Sequence, residues 1–440
     1  MKSVGMLVIL IVVSFGYTQA PDTLWTRAYG GTEFDAGNSI QQTSDGGYIV
    51  TGGTNSFGHN LWLLKLDSSG DTLWTKTYGG INNDGGKVVL QTSDGGYFIA
   101  GNTESFGVGN GDIWLLKTDS LGDTIWTQTH GFVGSESCEA AEQTSDGGYV
   151  ITGWTGWDLL LLKTDQYGDI VWAKSYAVEE PFYWARGWDV HETYDGGYII
   201  AGSIIAEAAW YHVGWLLKTD SGGDTVWTKE YDGPFHSVAQ TADSGYIACG
   251  GTGYLDLILY LVRTDAQGDS IWTRQYSSET QCGWSMEITD DNGYIITGTR
   301  GDWSSEDDVL LFKTDESGDS LWCAVYGGYD CDRGHEVHQT SDGGYIVVGR
   351  TASFGAGSGD FWILKTESDV GIEEQPIVKP VEQQAGITTT IFRGPLHLPE
   401  GKECKVFDIT GRVVQPDKIQ LGIYFIEIDG VVTQKVVKVR

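Results

Sequence analysis

Residues 38–78 read NSIQQTSDGGYIVTGGTNSFGHNLWLLKLDSSGDTLWTKTY, and the chain of 440 residues writes this phrase seven times. Within it Asn38–Ser44 is a short run closed by Asp45-Gly46-Gly47, Tyr48–Thr54 alternates, Leu61–Leu66 is apolar, and Thr72–Tyr78 carries Trp74. Six times a cation ending the apolar run is followed nine residues later by Trp: Lys65 and Trp74, Lys117 and Trp126, Lys163 and Trp172, Lys218 and Trp227, Arg263 and Trp272, Lys313 and Trp322. A fixed spacing inside a drifting repeat of about 50 residues marks a rigid hairpin in an array of like sheets.

Each repeat predicts four antiparallel strands, a to d. Asp-Gly between two strand-like runs is a hairpin signal, and a type I′ turn is expected to join a to b. It recurs before Tyr97, Tyr149, Tyr198 and Tyr345, with the variants Asp243-Ser244-Gly245 and Asp291-Asn292-Gly293. The linkers beginning at Asp67, Asp119, Asp165, Asp220, Asp265 and Asp315 supply a second tight turn between c and d. Seven four-stranded units give an all-β, seven-bladed β-propeller. The ends of the array support it: Asp22-Thr23-Leu24-Trp25 is a lone strand d, whereas the last repeat stops after strand c, Phe361–Thr366. The first strand then completes the last blade, which removes an open sheet edge.

The Asp-x-x-Gly-x-x-x-Trp pattern leading into strand d resembles the tryptophan-docking motif of quinoprotein propellers. The resemblance implies that these indoles pack between blades. No adjacent cysteine pair or other quinone-binding pattern accompanies it, and no cofactor is expected.

Composition bounds the rest. Lys2, the apolar run Val4–Phe15 and the exit Thr18-Gln19-Ala20 have the pattern of a secretory signal, residues 1–20, leaving no integral membrane span after cleavage. The propeller is expected over 21–368. With 27 basic and 60 acidic residues the formal charge is −33, which disfavours nucleic acid and anionic membrane surfaces. Six cysteines in an exported chain permit disulfides, with Cys323–Cys331 and Cys282–Cys331 both compatible with spacing.

Residues 369–386 read as a linker, and 387–440 as a small β-sandwich with a hairpin turn at Asp429-Gly430. The runs Val406-Phe407-Asp408-Ile409-Thr410-Gly411-Arg412, Leu421-Gly422-Ile423-Tyr424-Phe425-Ile426 and Lys435-Val436-Val437-Lys438-Val439-Arg440 resemble the C-terminal sorting domain of cargo of the type IX secretion system. The usual Pro-Asn-Pro is replaced by Arg393-Gly394-Pro395. The resemblance implies that the type IX machinery is a partner, that the mature protein is secreted or held at the cell surface outside the outer membrane, and that Gly422, Tyr424, Lys435 and Lys438 carry the signal. The repeats also resemble those of large secreted bacterial propeller proteins.

Candidate binding residues follow from loop lengths. From Trp of strand d to the next Tyr of strand b takes 19–26 residues, and from that Tyr to the cation of strand c 14–20, so the variation lies in the d-to-a and b-to-c connections. Both emerge on one face, and binding groups concentrate on variable loops of rigid scaffolds. Trp154, Trp157, Trp184, Trp188, Trp210, Trp284 and Trp303 fall in or beside these connections and predict a platform for glycan or protein. Ten residues before each strand-b Tyr stands a diverse ring, Asn38, Lys87, Glu139, Trp188, His236, Trp284 and His335, among uniform neighbours such as the Thr at five before. Lys87 and His335 therefore join the candidate ligand-binding set. An enzymatic alternative, a polysaccharide hydrolase or lyase, would use Glu139, His236 and Asp189 at the channel mouth. No metal is expected: His335 and His338, three apart on a strand, should point to opposite faces.

Overall fold

The computed structural model describes residues 20–131, 134–178, 182–206, 211–252, 258–276, 281–301, 307–369, 388–392, 404–408, 413–415, 422–428 and 431–438. It divides into two units, Met1–Gly371 and Ile372–Arg440. Among the described residues there is no helix long and apolar enough to cross a membrane.

The first unit is a seven-bladed β-propeller. β1 (Thr23–Tyr29) stands apart from the first blade, which is built from β2 (Asp35–Gln42), β3 (Tyr48–Thr54), β4 (Asn60–Leu66) and β5 (Thr72–Tyr78) in sheet order. Five further sheets repeat that order, and the seventh is closed by β1 pairing antiparallel with Asp360–Thr366, Ala28 opposite Trp362. Strands b and c read as apolar runs because both their faces are covered by neighbouring blades. Leu61, Leu63, Ile49 and Ile99 share one cluster with Val89 and Trp114 across a blade boundary.

Each strand-d indole docks on the following blade. Trp25 meets Tyr48 at 5.9 Å, Trp172 meets Tyr198 at 5.8 Å and Trp227 meets Tyr246 at 5.7 Å. The strand-d Tyr adds a hydrogen bond across the same boundary, Tyr78 and Tyr176 each donating to a turn carbonyl, Gly122 and Gly223, at 2.5 Å. Inside the blade the strand-c cation closes the a–b turn: Lys65 Nζ lies 3.0 Å from Asp45 and donates to Thr43 Oγ1 at 2.9 Å. Burial works against the Asp45 charge, but the Thr43 hydroxyl, the Gly47 N–H and Lys65 together hold it down at about 2.

The hairpins differ from the expected type I′. Thr43 N–H donates to Gly47 O at 2.9 Å and Gly46 N–H to Thr43 O at 2.8 Å, and only Gly46 has positive φ, +82°. This is a type I turn followed by one left-handed residue, the three-residue hairpin loop. Asp45 need not adopt positive φ; its carboxylate instead accepts from Thr43 Oγ1 and from Gly47 N–H. In two blades the left-handed position holds Ser244 (φ 69°) and Asn292 (φ 62°).

No disulfide forms among Cys138, Cys249, Cys282, Cys323 and Cys331. Cys282 Sγ lies 3.7 Å from His236 Nδ1, and Cys331 Sγ 3.4 Å from an Arg350 nitrogen, so neither of the two expected bridges exists.

The second unit contains a four-stranded sheet ordered Thr388–Phe392, Val431–Lys438, Gly422–Ile428, Cys404–Asp408, the first pair parallel. Tyr424 lies opposite Val436, Lys435 opposite Phe425, and Gly422 opposite Lys438. Strands of a second layer are not among the described residues; the turn at Asp429-Gly430, the segment Arg393-Gly394-Pro395 and residues 1–19 lie outside them.

The turn geometry yields an expected outcome: Ser244→Gly relieves a left-handed non-glycine and raises stability by about 0.5–1 kcal/mol in urea denaturation. Asn292→Gly gains less, because Asn tolerates that conformation better.

Candidate functional site in the central channel

All seven blades place one residue into the channel by the same device. In every a–b pair the register skips a residue of strand a ten before the strand-b Tyr: Asn38, Lys87, Glu139, Trp188, His236, Trp284 and His335, with a second skip at Tyr183 in the fourth blade. These are β-bulges, and the skipped residue is pushed out of the ladder. Opposite each bulge strand b carries a glycine, four residues after its Tyr: Gly52, Gly101, Gly153, Gly202, Gly250, Gly298 and Gly349. A Cβ on Gly298 would lie 1.8 Å from Cys282 O, and one on Gly52 2.0 Å from Ala36 O. The kinked carbonyl needs a bare backbone beside it, and that recurring glycine is the sequence signal of the bulge.

The seven ejected side chains line one cavity of about 530 Å³ together with the next residues down strand a. Its rim is made of short contacts. Lys87 Nζ lies 2.6 Å from Glu139 Oε2, and Ser137 Oγ donates to Glu139 Oε1 at 2.9 Å. Asn38 Nδ2 donates to Gly86 O at 2.7 Å, while the Nδ1 atoms of His335 and His236 lie 2.7 Å from Gly37 O and 3.1 Å from Gly283 O. Trp188 and Trp284 each donate their indole N–H to a strand-b hydroxyl, Ser203 at 2.9 Å and Thr299 at 3.0 Å. Between these two indoles sits His236, 5.6 Å from one ring and 4.3 Å from the other, which makes an aromatic arc over three blades.

Below the rim two equivalent clamps stand three blades apart. His191 lies between Glu142 (3.5 Å) and Asp189 (3.4 Å), and His338 between Glu287 (3.0 Å) and Glu336 (3.5 Å). The carboxylates also knit the inner strands: Val238 N–H donates to Asp189 at 2.9 Å, Ile40 N–H to Glu336 at 2.6 Å and Glu192 N–H to Glu142 at 2.6 Å. Strand a would otherwise present unpaired N–H groups to its neighbour, so these side chains act as the missing ladder.

The four histidines titrate in opposite directions. Burial pushes His236 down to about 4, against the pull of the Gly283 carbonyl. Burial also lowers His335 to about 4, with Arg350, Lys87 and Arg333 adding to the effect. Burial works against charge at His338 too, but Glu336 and Glu287 outweigh it and raise the imidazole to about 10. His191 is raised above the ordinary value against its burial by Asp189 and Glu142, and Asp189 is lowered against its own burial, chiefly by His191.

Several expectations change here. His335 and His338 do not face apart: both line the cavity, because the bulge shifts the side-chain alternation by one. They still share no ligand geometry, since His335 is turned to Gly37 O and His338 to its two carboxylates. Among the described residues no group of three or more His, Cys, Asp and Glu side chains is placed to hold a metal. The tryptophans do not form one platform. Trp188 and Trp284 lie in the channel, whereas Trp154, Trp157 and Trp184 line a separate cleft with Arg186. Trp210 and Trp303 lie outside the described residues. Glu139, His236 and Asp189 do line the same cavity, with Asp189 one step below the rim.

Neither a known family profile nor a curated protein sequence matches the chain. Among solved structures it is similar to an ulvan lyase of polysaccharide lyase family PL25, with 11% identity, a TM-score of 0.51, and coverage of 78% of this chain and 96% of that one. It is also similar to a protein of unknown function from Dyadobacter fermentans, with 12% identity, a TM-score of 0.49, and coverage of 79% and 98%. At such identity the lyase likeness shows the fold alone.

The histidine environments define a measurable pattern. By ¹⁵N chemical shift, His338 is expected to remain an imidazolium at pH 8, and His236 and His335 to remain neutral at pH 5.5. The clamp at His338 contributes stability that is complete below the unfolded value of 6.5 and lost as pH rises toward 10. His236 and His335 act in the other direction: the unfolded chain binds their protons first, so stability falls as pH drops from 6.5 toward 4.

Proposed function

We propose that this protein is a non-catalytic, exported binding propeller whose channel mouth takes a glycan. The observation that carries the reading is the Trp188–His236–Trp284 arc, held by bulges on three consecutive blades and set in a concave cavity. Indole faces stack on the C–H faces of sugar rings, and the polar rim of Asn38, Lys87, Glu139 and His335 offers hydrogen-bond partners to hydroxyls. A concave mouth favours a saccharide over a flat protein face. Five carboxylates line the cavity against three cations, Lys87 and the imidazoliums of His191 and His338, so a neutral saccharide suits the channel better than a polyanion.

Catalysis is the second reading, and one observation favours it: Glu139, His236 and Asp189 share the cavity. Against it, Glu139 is ion-paired with Lys87 and Asp189 with His191, and His236 lacks the proton a general acid needs near neutral pH. On either reading, delivery to the cell surface would rest on the type IX signal at Gly422, Tyr424, Lys435 and Lys438. Surface delivery unimpaired by removal of residues 421–440 in a type IX host would rule out that part.

An array of neutral oligosaccharides probed with the full chain tests the binding reading. Trp284→Ala is expected to weaken the best ligand about thirtyfold, the loss of about 2 kcal/mol typical of a central aromatic anchor. Saccharide cleavage that disappears in Glu139→Gln would overturn it in favour of the enzyme.

A further inference from the structure

Outside the channel, on the blade 3 to blade 4 junction, lies a cleft of about 180 Å³ lined by Trp154, Gly156, Trp157, Trp184, Ala185 and Arg186. It shares no lining residue with the channel. Blade 4 builds one wall by extending its strand a to eleven residues, Phe182–Glu192, beyond the usual eight. The Trp157 carbonyl accepts the Ala185 N–H at 2.8 Å, which fixes the short b–c loop of blade 3 against that extension. The indoles of Trp157 and Trp184 stack at 5.3 Å with planes 17° apart, and Trp157 is 61% exposed.

Arg186 is the unusual member. Its guanidinium carbon lies 5.4 Å from the Trp154 ring centre and 5.9 Å from that of Trp184, within cation–π range of two indoles. In a chain with 60 acidic residues, four other arginines have carboxylate partners: Arg27 with Asp71, Arg263 with Asp243, Arg274 with Asp319 and Arg333 with Asp307. Among the described residues Arg186 has none, and no hydrogen bond from its guanidinium to a described acceptor is present. Among the described residues His212 feels its charge: burial and Arg186 both lower that imidazole. The −33 of the whole chain does not decide binding here, because at physiological salt charges beyond about 8 Å are largely screened.

We propose that this cleft is a second ligand subsite, specific for a carboxylate-bearing sugar. The exposed Trp157 face stacks on the sugar ring, and the Arg186 edge, oriented by Trp154 and Trp184, pairs with the uronate carboxylate through two parallel N–H donors. The inference goes beyond the channel reading and stands without it, since its ligand is acidic and its residues are different.

The probes are tetragalacturonate and its methyl ester, which keep the same rings and differ in charge, titrated into the full chain by calorimetry. Tetragalacturonate is expected to bind at least about tenfold tighter, the ratio that a charge-assisted contact supplies. Arg186→Gln should erase the difference while leaving the ester's binding in place, Trp157→Ala should weaken both probes, and Trp284→Ala should leave tetragalacturonate binding unchanged. Equal affinity for the two probes, discrimination that survives Arg186→Gln, or no tetragalacturonate binding at millimolar concentration would overturn the subsite. Loss of tetragalacturonate binding in Trp284→Ala would relocate it to the channel and overturn the subsite as well.

Discussion

A carbonyl tucked against a bare glycine shapes this molecule's inner surface. Seven times the strand nearest the axis bulges, its kinked carbonyl comes to rest where a strand-b side chain would begin, and glycine alone fits there. Because the bulge inserts one residue into the alternation, a side chain that would have stayed in the ladder is thrown into the channel. The scaffold thereby separates two demands. The ladder, the turns and the docked indoles can repeat almost unchanged, while the ejected residue is free to differ from blade to blade: amide, ammonium, carboxylate, indole or imidazole.

Below that ring the chemistry is conservative for the opposite reason. An innermost strand has an unpaired edge, and neighbouring blades satisfy it with side chains rather than with a fifth strand. Ser39 accepts the Val89 N–H, Gln41 the Gln91 N–H, and Asp189 and Glu336 do the same for Val238 and Ile40. Where carboxylates serve this role twice over, an imidazolium between them restores the balance of charge. The channel thus carries an aromatic arc and one ion pair at its mouth and two carboxylate–imidazolium clamps in its wall. Its mouth can meet a ligand without disturbing the contacts that close the ring.

Much of this was legible in the sequence, and what was missed has specific causes. The constant nine residues between Lys65 and Trp74 gave the c–d hairpin, and the orphan strand at Trp25 gave the closure. Aligning backward from Tyr48 and its counterparts found the ring from Asn38 to His335, because the bulge sits at a constant distance from that Tyr. The bulge itself went unread although Gly52, Gly101 and their equivalents mark it in every repeat. Without it the alternation rule put His335 and His338 on opposite faces. Asp45-Gly46 suggested the wrong turn class because its Asp serves as a hydrogen-bond acceptor for Gly47 and Lys65 rather than as a left-handed residue. The tryptophans were sorted by loop membership, but Trp184 and Trp188, four apart in one strand, part company because Trp188 is itself the bulged residue whereas Trp184 lies on the extension at the start of that strand. Nothing in local sequence says that Arg186, among the described residues, lacks the carboxylate partner that Arg27, Arg263, Arg274 and Arg333 have.

On the proposed reading, the bulge-ejected ring is the surface that meets ligand. With 5-fluorotryptophan in the full chain, ¹⁹F NMR reports the indoles separately during titration with a neutral oligosaccharide that binds. The resonances of Trp188 and Trp284 are expected to shift while those of Trp25, Trp74 and Trp172, half-buried between blades, stay fixed. Saturable binding that leaves Trp188 and Trp284 unshifted would contradict it.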